Sequence, residues 1–220
     1  LKRLILAAIL ATSASSSMAM ENNFYLKSSF GKVDTDISNR EALENFGVKL
    51  SDPKGWNVTL GYRLNNFLSI EGGYTNLGSS EGRDRGSDSI NTDYEALHYE
   101  YDYKVDIDTQ SRMLGIFLTT DITKNLYAGI RVGYQQWDAE LKEVENLNWN
   151  YEVVISGSQI ASESGSSNYS YKGDDDGSDP YYGISAGWNY NNWSLSLEHT
   201  IFEMGDRKPN FSSLALTYNF

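Results

Sequence analysis

Residues 210–220, N-F-S-S-L-A-L-T-Y-N-F, constrain the fold more than any other stretch. Leu214, Leu216, Tyr218 and Phe220 fall on one face of a strand, and Ser213, Ala215, Thr217 and Asn219 on the other. In a soluble sheet an exposed Tyr-x-Phe edge invites aggregation, because its unpaired backbone groups template another chain. A membrane-spanning strand requires the same alternation: an apolar face for lipid, a polar face for a lumen, and an aromatic ring at the boundary.

The opposite end is consistent with export. Residues 1–19 read as a secretory signal peptide, with Lys2 and Arg3 as a basic start. Residues 4–11 form an apolar stretch too short to span a bilayer as a helix. Ser17-Met18-Ala19 supplies a small-x-small cleavage site, so the mature barrel is predicted over residues 20–220. The chain has no Cys, which excludes disulfides and lipid attachment through a cysteine.

Hydrophobic residues make up only 40% of the chain, which would argue against membrane helices. Beyond the signal no stretch approaches the roughly 20 apolar residues such a helix needs. A barrel escapes this argument, since its strands alternate lipid-facing and lumen-facing residues. The net charge of −12 disfavours nucleic acid as a partner. The acid clusters between predicted strands, as solvated loops would have it; a cation-mediated contact with an anionic leaflet is the other reading.

Period-2 segments recur along the mature chain. They fall at residues 23–33, 55–64, 67–76, a segment ending near 120, then 126–141, 180–190, 193–202 and the final stretch. Outward rows are Phe24, Leu26 and Phe30; Trp56, Val58, Leu60 and Tyr62; Leu114, Ile116 and Leu118; and Ile130, Val132 and Tyr134. Asn65-Asn66, residues 121–125 and Asn191-Asn192 are tight turns, whereas four longer connections alternate with them. The longest of these covers residues 142–179. The prediction is an all-β, eight-stranded antiparallel up-and-down transmembrane β-barrel, closed because lipid cannot satisfy an open sheet edge. Short turns then lie at the periplasm and four long loops outside.

Tyr99, Tyr101, Tyr103, Val105 and Ile107 alternate with a parity opposite to Leu114, Ile116 and Leu118. A bulge near residues 109–112 is the expected reason. A ten-stranded barrel using residues 99–107 and 149–155 is the alternative.

Residues 61–78, G-Y-R-L-N-N-F-L-S-I-E-G-G-Y-T-N-L-G, resemble a strand-turn-strand unit of the OmpA-like barrel family. So does the I-x-V-G-Y-x-x-W-D-A-E run from Ile130 to Glu140, and so do Tyr181-Tyr182-Gly183 with residues 192–198. The resemblance covers the strands and leaves the loops unmatched. It implies a bacterial outer-membrane location, insertion by the barrel assembly machinery with periplasmic chaperones, and contact with lipid and lipopolysaccharide. It also identifies Leu214, Leu216, Tyr218 and Phe220 as the C-terminal assembly signal. No peptidoglycan-binding domain is matched, so envelope anchoring is not carried over.

By parity Lys27, Arg63, Glu71, Arg131 and Glu198 point inward. Charges in so narrow a lumen must pair, since an unpaired buried charge is expensive. A structural ion-pair network is the first reading, and a gated pore the second. In the resembled family luminal glutamate and arginine form such a switch, and Glu71 stands at its glutamate position. Ser196 stands where the partner arginine is expected, so Arg63 or Arg131 would have to substitute.

A lipid-modifying enzyme is the rival class, with a Ser, a His and a carboxylate near the outer rim. His98 falls in a loop and His199 faces lipid, flanked on its own face by Leu197 and Ile201 with no serine at that spacing. The expectation is therefore no catalysis. Residues 172–179, K-G-D-D-D-G-S-D, lack the first and twelfth acids of a calcium loop, where Lys172 and Gly183 stand. They are read as a flexible acidic loop, without metal or other cofactor. The Tyr-rich and Ser/Asn-rich loops suit adhesion. The expected role is structural or surface-interacting, for a monomer with an extracellular ligand or host surface as partner.

Overall fold

The computed structural model describes residues 23–155 and 158–220. The expected signal peptide, residues 1–19, lies outside the described residues. The strands are β1 (Phe24–Asp34), β2 (Lys54–Arg63), β3 (Leu68–Asn91), β4 (Glu95–Asp121), β5 (Leu126–Ile155), β6 (Ser158–Tyr190), β7 (Trp193–Phe202) and β8 (Asn210–Asn219). Helix α1 (Asn39–Phe46) follows β1. Each strand pairs antiparallel with its neighbour, and β8 returns to β1 to close the barrel. Eight strands form the wall; residues 99–107 and 149–155 continue β4 and β5 and add no ninth or tenth strand.

The turns form where the sequence places them. At Asn65 the side-chain oxygen accepts the backbone N–H groups of Phe67 and Leu68, at 3.0 and 2.9 Å. This local bond is why Asn serves tight turns so well. Asn191 occupies the left-handed region, φ 52°, which Asn tolerates.

Apolar side chains form the outer wall: Phe30, Leu60, Leu114, Ile130, Ile184, Leu197 and Leu214 are all exposed. Aromatic rings rim this band at the turn end, where Phe24–Tyr62, Trp193–Tyr218 and Tyr218–Phe220 pack at 4.8, 4.8 and 5.3 Å. At the other rim Trp56 and Tyr74 lie 5.4 Å apart. Such girdles sit at the two headgroup levels, since an aromatic ring with a polar tip prefers that boundary.

The expectation of four long loops needs correction. Only residues 35–53 form one, and they contain α1, capped by Ser38 (Oγ to Glu41 N, 3.2 Å) and ended by Gly47 at φ 70°. Residues 203–209 make a compact turn, with Met204 and Arg207 exchanging backbone bonds of 2.9 and 3.0 Å. The other two connections are mostly strand. β3, β4, β5 and β6 contain 24, 27, 30 and 33 residues, against 10 or 11 in the other four. About 9–11 residues suffice to cross a membrane. The surplus of these four strands stands beyond the barrel as one antiparallel sheet.

The bulge is also elsewhere. β4 keeps an unbroken register with β5 from Glu95 to Asp121. The irregularity lies on β3, between Asn76 and Gly78, where Leu77 is the extra residue and Gly78 takes φ 80°. Tyr99 to Ile107 therefore share the lumen-side face of β4 with Ser111 and Phe117. The apolar row changes sides because the medium does. Inside the membrane the outside is lipid; beyond it the outside is water, and apolar residues turn inward.

Candidate functional site

Lys27 of β1, Glu71 of β3, Arg131 of β5 and Glu198 of β7 meet at the centre of the lumen, all buried. They form a closed ring of alternating charge. Lys27 Nζ lies 3.0 Å from Glu71 Oε1 and 3.5 Å from Glu198 Oε1. Arg131 donates two parallel bonds to Glu198, at 2.8 and 2.9 Å, and its Nε is 3.4 Å from Glu71 Oε2. Tyr25 adds a hydroxyl bond to Glu71 of 2.8 Å. The Phe117 ring lies 5.5 Å from Lys27 Nζ and 5.2 Å from Arg131 Cζ, within cation–π range. Gly129 makes room for it, since a Cβ there would lie 2.5 Å from that ring. Two positive and two negative charges leave the ring neutral, as burial demands.

Arg63 does not join them. It sits at the turn end, bonded to Asn219 Oδ1 at 2.6 Å and lying over Tyr25 at 5.4 Å. Parity placed it inside correctly, but its distance along the strand keeps it below the ring. Between this level and the ring lies a cavity of ≈ 350 Å³, lined by Tyr25, Arg63, Asn189 and Asn219 among others. Of the two arginines considered as partners for Glu71, Arg131 is the one that lies beside it, although its hydrogen bonds go to Glu198.

Above the ring is a second closure that sequence reasoning missed. Val33, Leu77, Trp137, Tyr181, Phe202, Met204 and Phe211 form one buried apolar cluster. Val33, Leu77 and Trp137 each stand six residues beyond the ring residue of their own strand. Trp137 Nε1 is satisfied by Asp179 Oδ2 at 2.8 Å. An apolar plug and a charged ring thus fill the lumen in series. Over the plug opens a cup of ≈ 790 Å³, walled by Ile37, Phe46, Ile107, Leu141 and Met204. Arg207 closes its rim, bonded to Glu41 Oε1 at 2.6 Å, so the first connection is tied to the fourth.

The projecting sheet has two unlike faces. On the lumen-side face the cross-strand rows read Gly82–Val105–Glu143–Tyr171, Asp84–Tyr103–Glu145–Tyr169, Gly86–Tyr101–Leu147–Ser167 and Asp88–Tyr99–Trp149–Gly165. The outer face carries Arg83, Arg85, Lys104, Lys142 and Lys172, with Asn146, Asn148 and Asn168. Its cations are paired: Arg83 and Arg85 with Asp102 at 2.6 and 3.1 Å, and Lys172 with Glu140 at 3.1 Å.

The family model for the outer membrane protein beta-barrel domain matches residues 4–220. The chain belongs to that family. As a member it is a bacterial outer-membrane protein, and its eight strands close into the barrel that the family's description names. Among solved structures it is similar to the attachment invasion locus protein Ail of Yersinia pestis, at 17% identity and TM-score 0.41, covering 91% of this chain and 100% of that one. It is also similar to the N-terminal β-barrel domain of Pseudomonas aeruginosa OprF, at 9% identity and TM-score 0.46, covering 90% and 98%. Neisserial surface protein A is a third, at 13% identity and TM-score 0.43, covering 90% and 97%. No curated protein sequence matches the chain.

Within this family barrel the remaining candidates are placed as follows. Leu214, Leu216, Tyr218 and Phe220 form the outward row of β8 and the residue after it. His199 points outward, and its Nδ1 lies 2.8 Å from Ser212 Oγ on the neighbouring strand. Ser212 belongs to β8, so spacing along β7 alone does not reveal this partner. His98 pairs in the same way with Ser89 at 2.8 Å, on the outer face of the sheet, with Glu100 3.7 Å from its other nitrogen. That last distance is too long for a hydrogen bond. Residues 172–179 are strand rather than flexible loop: they pair with β5, and alternation sends Asp174 and Asp176 to one face and Asp175 and Asp179 to the other. Among the described residues no group of acids and histidines could hold a metal ion.

Proposed function

We propose that this outer-membrane barrel is a surface-interaction protein of the adhesion or colonisation type, acting through its projecting sheet. One observation carries the reading: β3 to β6 are two to three times the length that membrane crossing requires. That extra strand supplies a rigid surface outside the cell rather than a mobile loop. The luminal ring and plug are assigned a structural role, and the row Leu214, Leu216, Tyr218 and Phe220 to recognition during assembly. Outward apolar residues meet membrane lipid, and the outer face of the sheet, which carries its Lys and Arg side chains, is the one turned toward lipopolysaccharide.

The test is a variant with residues 146–168 replaced by a two-residue Asn-Gly turn. The cut follows the observed register, in which Asn146 pairs with Asn168 and Glu145 with Tyr169. Removing residues 146–176 instead would strip residues 138–145 of their β6 partners. Cells displaying the shortened barrel should lose attachment to host cells or matrix. Undiminished attachment, with surface display verified, would refute the assignment to this sheet.

A further inference from the structure

We infer that the lumen-side face of the projecting sheet is a docking surface for a positively charged polypeptide segment. The inference rests on the surface-interaction reading and gives its partner a chemistry. Charge sorting carries it. Along these strands, beyond the bulge at Leu77, every Lys and Arg lies on the outer face. The lumen-side face holds Asp84, Asp88, Glu143, Glu145 and Glu163 and no cation. On the outer face Asp102, Asp106, Glu140 and Asp174 pair with cations of that face; the lumen-side carboxylates have no cation on their face to pair with.

The aromatic side chains on that face are arranged to the same end. Tyr101 lies over Gly86 and Trp149 over Gly165: a Cβ on either glycine would come within 2.6 or 2.7 Å of those rings. The absence of a side chain lets each ring lie against the neighbouring strand, which leaves its other π-face outward. Tyr101 and Tyr99 hydroxyls lean on Asp84 and Asp88, at 3.1 and 3.5 Å. Tyr169 and Tyr171 are exposed. A ring face beside a carboxylate attracts guanidinium and ammonium groups through both the quadrupole and the charge. An anionic ligand would meet only repulsion here. From Gly82 to Ile90 the face runs roughly 27 Å, at about 3.4 Å per residue. That accommodates an extended segment of about eight residues. The net charge of −12 would steer such a partner toward the protein.

The experiment uses the full barrel refolded in phosphatidylcholine nanodiscs, whose zwitterionic lipid does not attract the probe. Fluorescence anisotropy follows a labelled nona-arginine peptide, with oligoglutamate and neutral dextran as controls. D84N/D88N/E145Q should weaken nona-arginine binding at least tenfold. E100Q/D108N/E152Q, which removes equal charge from the outer face, should change it less than twofold. Y99L/W149L, with all charge retained, should weaken it severalfold. Equal losses in the two charge variants would overturn the inference, as would dextran binding as tightly as the peptide. If the turn-replaced barrel loses cell attachment while D84N/D88N/E145Q keeps it, the cationic partner is wrong and the surface role stands. If peptide binding follows the lumen-side face but turn replacement leaves attachment unchanged, the docking surface stands and the adhesion reading fails.

Discussion

Substituting Glu198 by Gln tests the logic of the luminal ring most directly. Glu198 takes two bonds from Arg131, at 2.8 and 2.9 Å, and lies 3.5 Å from Lys27. Neutralising it leaves two buried cations facing the single charge of Glu71. Removing one partner of a buried ion pair costs about 3–5 kcal/mol, because the other charge stays desolvated and uncompensated. Against a typical domain stability of about 5–15 kcal/mol, that is a large fraction. The ring also predicts a rescue. E198L/R131M removes one charge of each sign and leaves the Lys27–Glu71 pair, 3.0 Å apart, neutral and intact. Replacing a buried pair by apolar groups is often neutral or stabilising, so the double variant should lie within about 1 kcal/mol of the wild type. Equilibrium unfolding in urea, followed by tryptophan fluorescence in detergent micelles, measures both. If E198Q unfolds within about 0.5 kcal/mol of the wild type, or the double variant shows the sum of the single losses, the ring is not the coupled unit described.

Three further outcomes are expected. Gly78→Ala should destabilise the barrel by about 1–3 kcal/mol in the same assay, since φ is 80° and a Cβ would meet the Lys54 carbonyl oxygen at 2.5 Å; an unchanged midpoint would remove the bulge from the account. Arg207 holds the Glu41 carboxyl below its ordinary value of 4.5. A depressed acid contributes stability above its unfolded value and loses it as pH falls through the folded one. The latch should therefore hold at neutral pH and release only in acid below about pH 4.5, read as increased protease cleavage of residues 35–53; release near pH 7 would contradict the pairing. Planar-bilayer recordings of the wild-type barrel should show no persistent open level, because ring and plug close the lumen independently. A steady conductance at all voltages would require that both be open, and would favour the gated-pore reading.

The local pattern told most about the wall. Alternation in residues 55–64 and 193–202 fixed which side chains meet lipid, because a pleated strand leaves them no third direction. Asn65 and Asn191 marked turns through their own side-chain chemistry. The pattern misled above the membrane, where the apolar row of Tyr99 to Ile107 was read as a bulge in β4. Periodicity reports a change of side without saying whether the chain or the solvent has changed. Helix α1 was missed, being a single short amphipathic stretch inside a loop.

The sequence by itself determined that this chain closes eight strands around a polar lumen, and that Lys27, Arg63, Glu71, Arg131 and Glu198 all face inward. Those conclusions need only the two-residue period and the requirement that backbone groups in lipid be satisfied. Tertiary structure alone decided which of the inward charges touch. Height along the barrel axis depends on the stagger between strands, which no single strand encodes. That stagger brings residues 27, 71, 131 and 198 to one level and leaves Arg63 below. It also stacks the plug of Trp137, Phe202 and Phe211 above the ring, and sorts the cations of four separate strand extensions onto one face of a single sheet.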